Sequence, residues 1–152
     1  MRDVETYKQK VIADKNARRR GRYEVWSSFD LKNNIEADSL IRFLSRRKTF
    51  VSPTLAVFER RAAMDDSVEV RGFRKMLEFV GKASAEGVTI VVGSHSYVPH
   101  APLGFAFQRE MELLYEAGLS PMKVIVAATL ENARFFRVEE RLGSIEKGKL
   151  AD

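Results

Sequence analysis

Apolar residues recur at steps of three and four along 68–86, where Val70, Phe73, Leu77, Val80 and Ser84 share one side of a helix that Gly87 ends. Directly after it, 88–92 holds four β-branched aliphatics and a threonine with no polar alternation, which predicts a strand covered on both faces, as in parallel sheets. Upstream, 36–47 carries Leu40, Ile41 and Leu44 on one helical face, and 48–52 reads as a short strand stopped by Pro53. The helix between the two strands suits a crossover connection, so 48–52 and 88–92 are expected to lie side by side and parallel. Downstream, Phe107, Met111 and Leu114 mark a helix over 106–117 with Gly118 as its cap. Ser120 and Pro121 then supply an N-cap and first helical position for a helix running through Phe136.

Two segments are less strongly patterned. Residues 3–20 predict a polar helix with only Val4, Tyr7, Val11 and Ile12 to bury, stopped by Gly21, with Trp26 and Phe29 covering apolar surface beneath it. From Leu142 the chain predicts a tight turn that leads into a strand beginning near Leu150. Ending at a strand's first residues is the pattern expected of a cut polypeptide.

Composition narrows the function classes. The chain has 152 residues, 45% of them hydrophobic, enough for one core of ordinary size. It has no cysteine, which excludes disulfide scaffolds, thiolate metal sites and cysteine nucleophiles. The apolar runs are too short to span a bilayer and the charged start lacks a signal peptide's apolar stretch, so a soluble, cytoplasmic protein without membrane contact is expected. The net charge of +5 is carried by the first half, most densely along 15–22. That run reads as a solvated helix end, because Lys and Arg are favoured beside unpaired C-terminal carbonyls. It also offers an alternative function, a non-enzymatic nucleic-acid-binding module built on Arg18, Arg19, Arg20 and Arg22. The lack of an aromatic platform or zinc spacing argues against that reading. No Ser-His-Asp set, phosphate loop or dinucleotide fingerprint is present.

Several stretches, in order, resemble the C-terminal part of the amidohydrolase superfamily, closest to the imidazolonepropionase and prolidase-like branch. Residues 51–55 (VSPTL) resemble the segment at the seventh barrel strand, and 86–94 (EGVTIVVGS) the eighth strand with its small-residue end. Gly104 and Glu110, then 117–121 (AGLSP), 127–129 (AAT), Asn132-Ala133 and 143–152 (GSIEKGKLAD) follow the family's ending. The resemblance implies an α/β fold: a partial (β/α)8 TIM barrel holding the last two strand–helix units, with the start of a flanking β-sandwich strand. A complete barrel takes about 250 residues or more. The implied division is a basic helical insertion or linker over 1–35, the barrel portion over 36–141, and the start of a truncated sandwich strand over 142–152.

The resemblance also implies chemistry. Family members bind divalent metal, usually zinc, through a His-x-His pair on strand one, a lysine or glutamate on strand four, histidines on strands five and six, and an aspartate on strand eight. Only the strand-eight position falls in this chain, and it is His95. An imidazole can ligate zinc and accept a proton near neutral pH, but it is neutral where aspartate is anionic. His95 is therefore the catalytic and metal candidate only within a complete parent protein. In the chain alone it is expected to be a loop residue, making at most a weak metal clip with His100. Thr54 and His100 are substrate-cleft candidates, and Glu110 matches the family's helix glutamate or is an ordinary surface charge. The implied function is the C-terminal portion of a metal-dependent hydrolase acting on a carbon–nitrogen bond of a small amide, cyclic amide or dipeptide-like molecule. The chain by itself is expected to be inactive and to need no cofactor. It is also expected to self-associate through exposed sheet edges, with Val51, Val88, Ile90 and Val92 bordering an open apolar surface.

Overall fold

The structure, a computed structural model, describes residues 14–61 and 67–150. Its elements are α1 (Lys15–Ser27), α2 (Ile35–Arg46), β1 (Phe50–Val51), α3 (Leu55–Phe58), α4 (Val68–Ala85), β2 (Thr89–Ile90), α5 (Ala106–Glu116), α6 (Pro121–Ala128) and α7 (Leu130–Phe135). The two strands pair in parallel, Phe50 opposite Thr89 and Val51 opposite Ile90, as the crossover argument predicts. They are shorter than expected, although Val91 N–H still donates to Val51 O and extends the pairing by one bond.

The starts of α2, α4 and α6 carry side-chain caps. Asn34 accepts from Ala37 N–H at 2.8 Å, Ser67 from Val70 N–H and Ser120 from Lys123 N–H, with Pro121 opening α6. Each cap satisfies one of the amides that a first helical turn leaves unpaired.

The first helix differs from expectation. The part predicted over 3–13 lies outside the described residues, and α1 does not stop at Gly21 but runs on to Ser27. Tyr23, 1% exposed, and Trp26 pack against α4, so tertiary burial outweighs the glycine. Gly72 of α4 sits beneath the turn: a Cβ there would lie 2.5 Å from Tyr23 O. The Trp26 ring meets Phe79 of α4 edge-on at 5.5 Å and Phe29 at 5.7 Å. Arg18, Arg19, Arg20 and Arg22 consequently lie exposed within the helix rather than at its C-terminal end; Arg20 pairs with Glu24, and Arg22 lies over the Phe58 ring.

The helix expected over 121–136 is broken at Thr129, whose φ of −121° and ψ of −85° leave the helical region. The break leaves the Ala127 carbonyl free to meet the segment after β2. Ala127 O accepts from Val92 N–H at 3.3 Å, and Asn132 Nδ2 donates to Val92 O at 3.0 Å. The far side of β2 is thus capped at its C-terminal end by α6 and α7. Together with the core packed around it, this corrects the expectation of an open apolar sheet surface: Val88, Ile90 and Val92 are buried and Val51 is half-buried. The large apolar side chains that do face solvent lie elsewhere, among them Ile35 and Phe43 of α2 and Tyr97, Leu103 and Phe105 after β2. At the tail, Leu150 N–H donates to Arg141 O, closing the predicted turn, while the remainder of the predicted strand lies outside the described residues.

Candidate functional site

Parallel strands finish on the same edge, so the residues after β1 and after β2 share one side of the sheet. The two ends touch closely: a Cβ on Gly93 would lie 2.5 Å from Ser52 Oγ, which is why a residue without a side chain suits that position. Thr54 and His95 each stand two residues beyond this contact, on the common edge.

The segment after β1 turns sharply. Thr54 has φ 49° and ψ 46°, left-handed backbone that a β-branched residue adopts at a cost, and its side chain makes no cap to α3. The missing cap comes from α5. Glu110 is fully buried and accepts from Leu55 N–H at 2.8 Å and Ala56 N–H at 2.7 Å, one carboxylate oxygen for each amide. Burial pushes its carboxyl above the usual range, while the two backbone bonds act in the opposite sense. Of the two readings of Glu110, burial therefore excludes the ordinary surface charge.

The residue beside it on α5 holds the other end of α3. Arg109 donates Nε to Glu59 Oε2 and Nη2 to Glu59 Oε1, both at 2.9 Å, and Arg61 Nε adds a bond to Glu59 Oε1 at 2.7 Å. Glu59 is 2% exposed. Burial raises its carboxyl pKa, but the bonds and charges of Arg109 and Arg61 outweigh that and hold it below the usual carboxylate range. Arg109 is raised above an ordinary arginine by its bonds to the same partner. Beyond Glu59, Arg60 lies over the Tyr23 ring and pairs with Glu69, and Tyr23 Oη–H donates to Phe58 O at 2.9 Å. Two consecutive residues of α5 thus grip the two ends of one short helix.

His95 is exposed, with Ser94 Oγ 3.4 Å from its carbonyl, and His100 is half-buried, its carbonyl 3.5 Å from Arg61 Nη2. These are the only two histidines. Among the described residues no three His, Asp or Glu side chains gather as metal ligands would. Since a catalytic zinc takes three protein ligands, this donor set does not by itself fit the divalent ion that the resemblance implies.

Sequence reasoning placed Thr54 and His95 on one edge but missed Glu59, Arg109 and Asn132. The signal for Glu110 was present: Ala106, Glu110 and Leu113 fall on one stripe of α5, and all three are buried. Taking bulky Phe107 as the inward residue rotated that helix by one position, whereas Phe107 in fact faces solvent.

Comparison with known proteins fits this geometry. The amidohydrolase family profile matches residues 25–152. Among solved structures, the chain is similar to one described as a Xaa-Pro dipeptidase with bound methionine in the active site. The TM-score is 0.62 at 29% identity, covering 83% of this chain and 31% of that one. It is also similar to an amidohydrolase from Thermotoga maritima MSB8, with a TM-score of 0.50 at 22% identity, covering 77% of this chain and 28% of that one. The chain therefore spans about a third of the length of the solved structures it matches. A search of curated proteins found no match. With the profile running from within α1 to the tail, the chain belongs to the amidohydrolase family.

Proposed function

We propose that this chain supplies the last two strand–helix units of an amidohydrolase-type (β/α)8 barrel. In this reading 1–35 is a basic insertion or linker, 36–141 is the barrel portion, and 142–152 begins a flanking sandwich strand. The catalytic unit it completes hydrolyses a carbon–nitrogen bond in a small amide, cyclic amide or dipeptide-like substrate. One observation carries the proposal: β1 and β2 are parallel, and Thr54 and His95 follow their C-terminal ends on one edge, where barrels of this kind keep their chemistry.

Members of the family are typically metal-dependent. This chain contributes one ligand position at most, His95, so most of any metal shell belongs to other parts of the catalytic unit. Where metal is bound, it activates water and polarises the scissile carbonyl. The chain's own residues then act as the wall of the cleft: Thr54 and His100 flank the substrate, and His95 offers an imidazole where a carboxylate is usual. Self-association through the free edge of β1, which has no second strand partner among the described residues, belongs to the same proposal. No helix among the described residues is long and apolar enough to cross a membrane.

A chimera tests the reading. Residues 36–150 replace the corresponding segment of a prolidase-like enzyme, with and without His95→Asp. The proposal expects a folded, metal-binding chimera whose dipeptide turnover is weak with histidine and rises with aspartate. A chimera that folds and binds metal but is indifferent to residue 95 would refute the assignment of that position. One that cannot form a barrel at all would refute the placement of the segment.

A further inference from the structure

The grip of α5 on α3 has a purpose that family membership alone does not assign. The first-turn amides of α3, like those of any helix, have no acceptor within the helix itself. Its N-cap residue, Thr54, leaves them unserved and is itself held in left-handed backbone, a conformation costing about 1 to 2 kcal/mol for a residue with a Cβ. A carboxylate brought from α5 with no solvent exposure is otherwise an expensive object. It is tolerated here because both of its oxygens are occupied by the Leu55 and Ala56 amides.

We infer that Glu110 is a positioning residue: its carboxylate caps α3 from outside and thereby fixes the left-handed turn at Thr54 at the sheet edge that carries His95. The inference deepens the proposed function, since it takes that edge as the place where substrate lies. It requires both carboxylate oxygens. A glutamine presents one oxygen and one NH2, so it can serve only one of the two amides and sets a donor against the other. An aspartate keeps the charge but falls one methylene short. Arg109, gripping Glu59 at the other end of α3, holds the helix against α5 and leaves the cap geometry to Glu110.

The test uses the whole chain, labelled with nitrogen-15 and carbon-13, and involves no turnover, so it stands or falls separately from the hydrolase reading. In the wild type, Leu55 and Ala56 amides should exchange with solvent as slowly as Val91, whose N–H is bonded to Val51 O across the sheet, although first-turn amides ordinarily exchange fast. Thr54 should show the three-bond coupling and carbon shifts of left-handed backbone. In Glu110→Gln, exchange at Leu55 or Ala56 should accelerate by about tenfold or more and the Thr54 signature should fade, with Val91 protection kept. Glu110→Asp should release both amides.

Equal loss of protection at Leu55, Ala56 and Val91 would overturn the inference, because it would make Glu110 a general stabiliser. A Thr54 signature unchanged in both variants would overturn it as well. Should neither variant fold, the wild type decides: fast exchange at Leu55 and Ala56 refutes the cap, and slow exchange there supports it.

Discussion

Replacing Arg109 with methionine isolates the energetic role of the buried ion pair. Methionine keeps the packing of the arginine stem but leaves Glu59, 2% exposed, without its two-pronged partner. Breaking a buried pair from one side typically costs about 3 to 5 kcal/mol, because a desolvated charge is left uncompensated. Arg61 still reaches Glu59 Oε1 at 2.7 Å, but its side chain is 57% exposed, so it offsets only part of the loss. The other two partners of Arg109, Glu112 and Glu116, are solvated, and each pair adds well under about 1 kcal/mol. The expected loss is therefore about 2 to 3 kcal/mol, equivalent to a drop in melting temperature of about 2 to 4 °C per kcal/mol for a domain of this size. Urea unfolding read by the single tryptophan, Trp26, which packs against Phe79, measures it. Adding Glu59→Gln to the same chain removes the stranded charge, so the double variant should recover about 1 kcal/mol or more relative to the sum of the single losses.

The pH dependence follows from the same pair. The folded-state pKa of Glu59 is depressed, so its contribution is present above the unfolded value of about 4.3 and disappears as pH falls through the lower folded value. Glu110 works the other way, its raised carboxyl relieving a burial cost on protonation, which is why the difference between wild type and Glu59→Gln is the useful curve. That difference should shrink below about pH 4. A single-variant loss below about 1 kcal/mol, or strictly additive losses, would refute the account of Glu59 as a charge that depends on Arg109.

Gly72→Ala should cost about 2 kcal/mol despite alanine's better helix propensity, since its Cβ would meet backbone atoms of Tyr23 at 2.5 and 2.8 Å, and Trp26 fluorescence should report α1 lifting from α4. Asn132→Ala should lose about 1 kcal/mol and speed amide exchange at Val92, because the bonds from Asn132 and to Ala127 hold that residue together; unchanged exchange there would contradict the edge-capping role of α7. The purified chain with added zinc should not hydrolyse Xaa-Pro dipeptides, and turnover that vanishes in His95→Ala would overturn that expectation.

What was legible in the sequence depended on whether one residue's neighbours in the chain are also its neighbours in space. The parallel pairing of β1 and β2 was readable because an uninterrupted β-branched run, a periodic helix and a proline stop are all local signals that agree. So was the shared edge of Thr54 and His95, which follows from that pairing. The errors share the opposite cause. Gly21 carries a stop signal, yet Tyr23 and Trp26 bury against α4 and carry the helix past it. The stretch 121–136 has an unbroken helical pattern, yet Val92, distant in sequence, takes the carbonyl of Ala127 and the turn at Thr129 opens. Glu110 resembles any helix surface charge until the amides of Leu55 and Ala56 are brought against it from the other strand–helix unit. In each case a group from outside the local window supplies or consumes a hydrogen bond or an apolar contact. The clearest trace such groups leave in a sequence is a charge placed in the middle of an apolar stripe: in a core, a carboxylate with no partner costs too much to persist, so its presence at position 110 implies a donor that the helix itself does not contain.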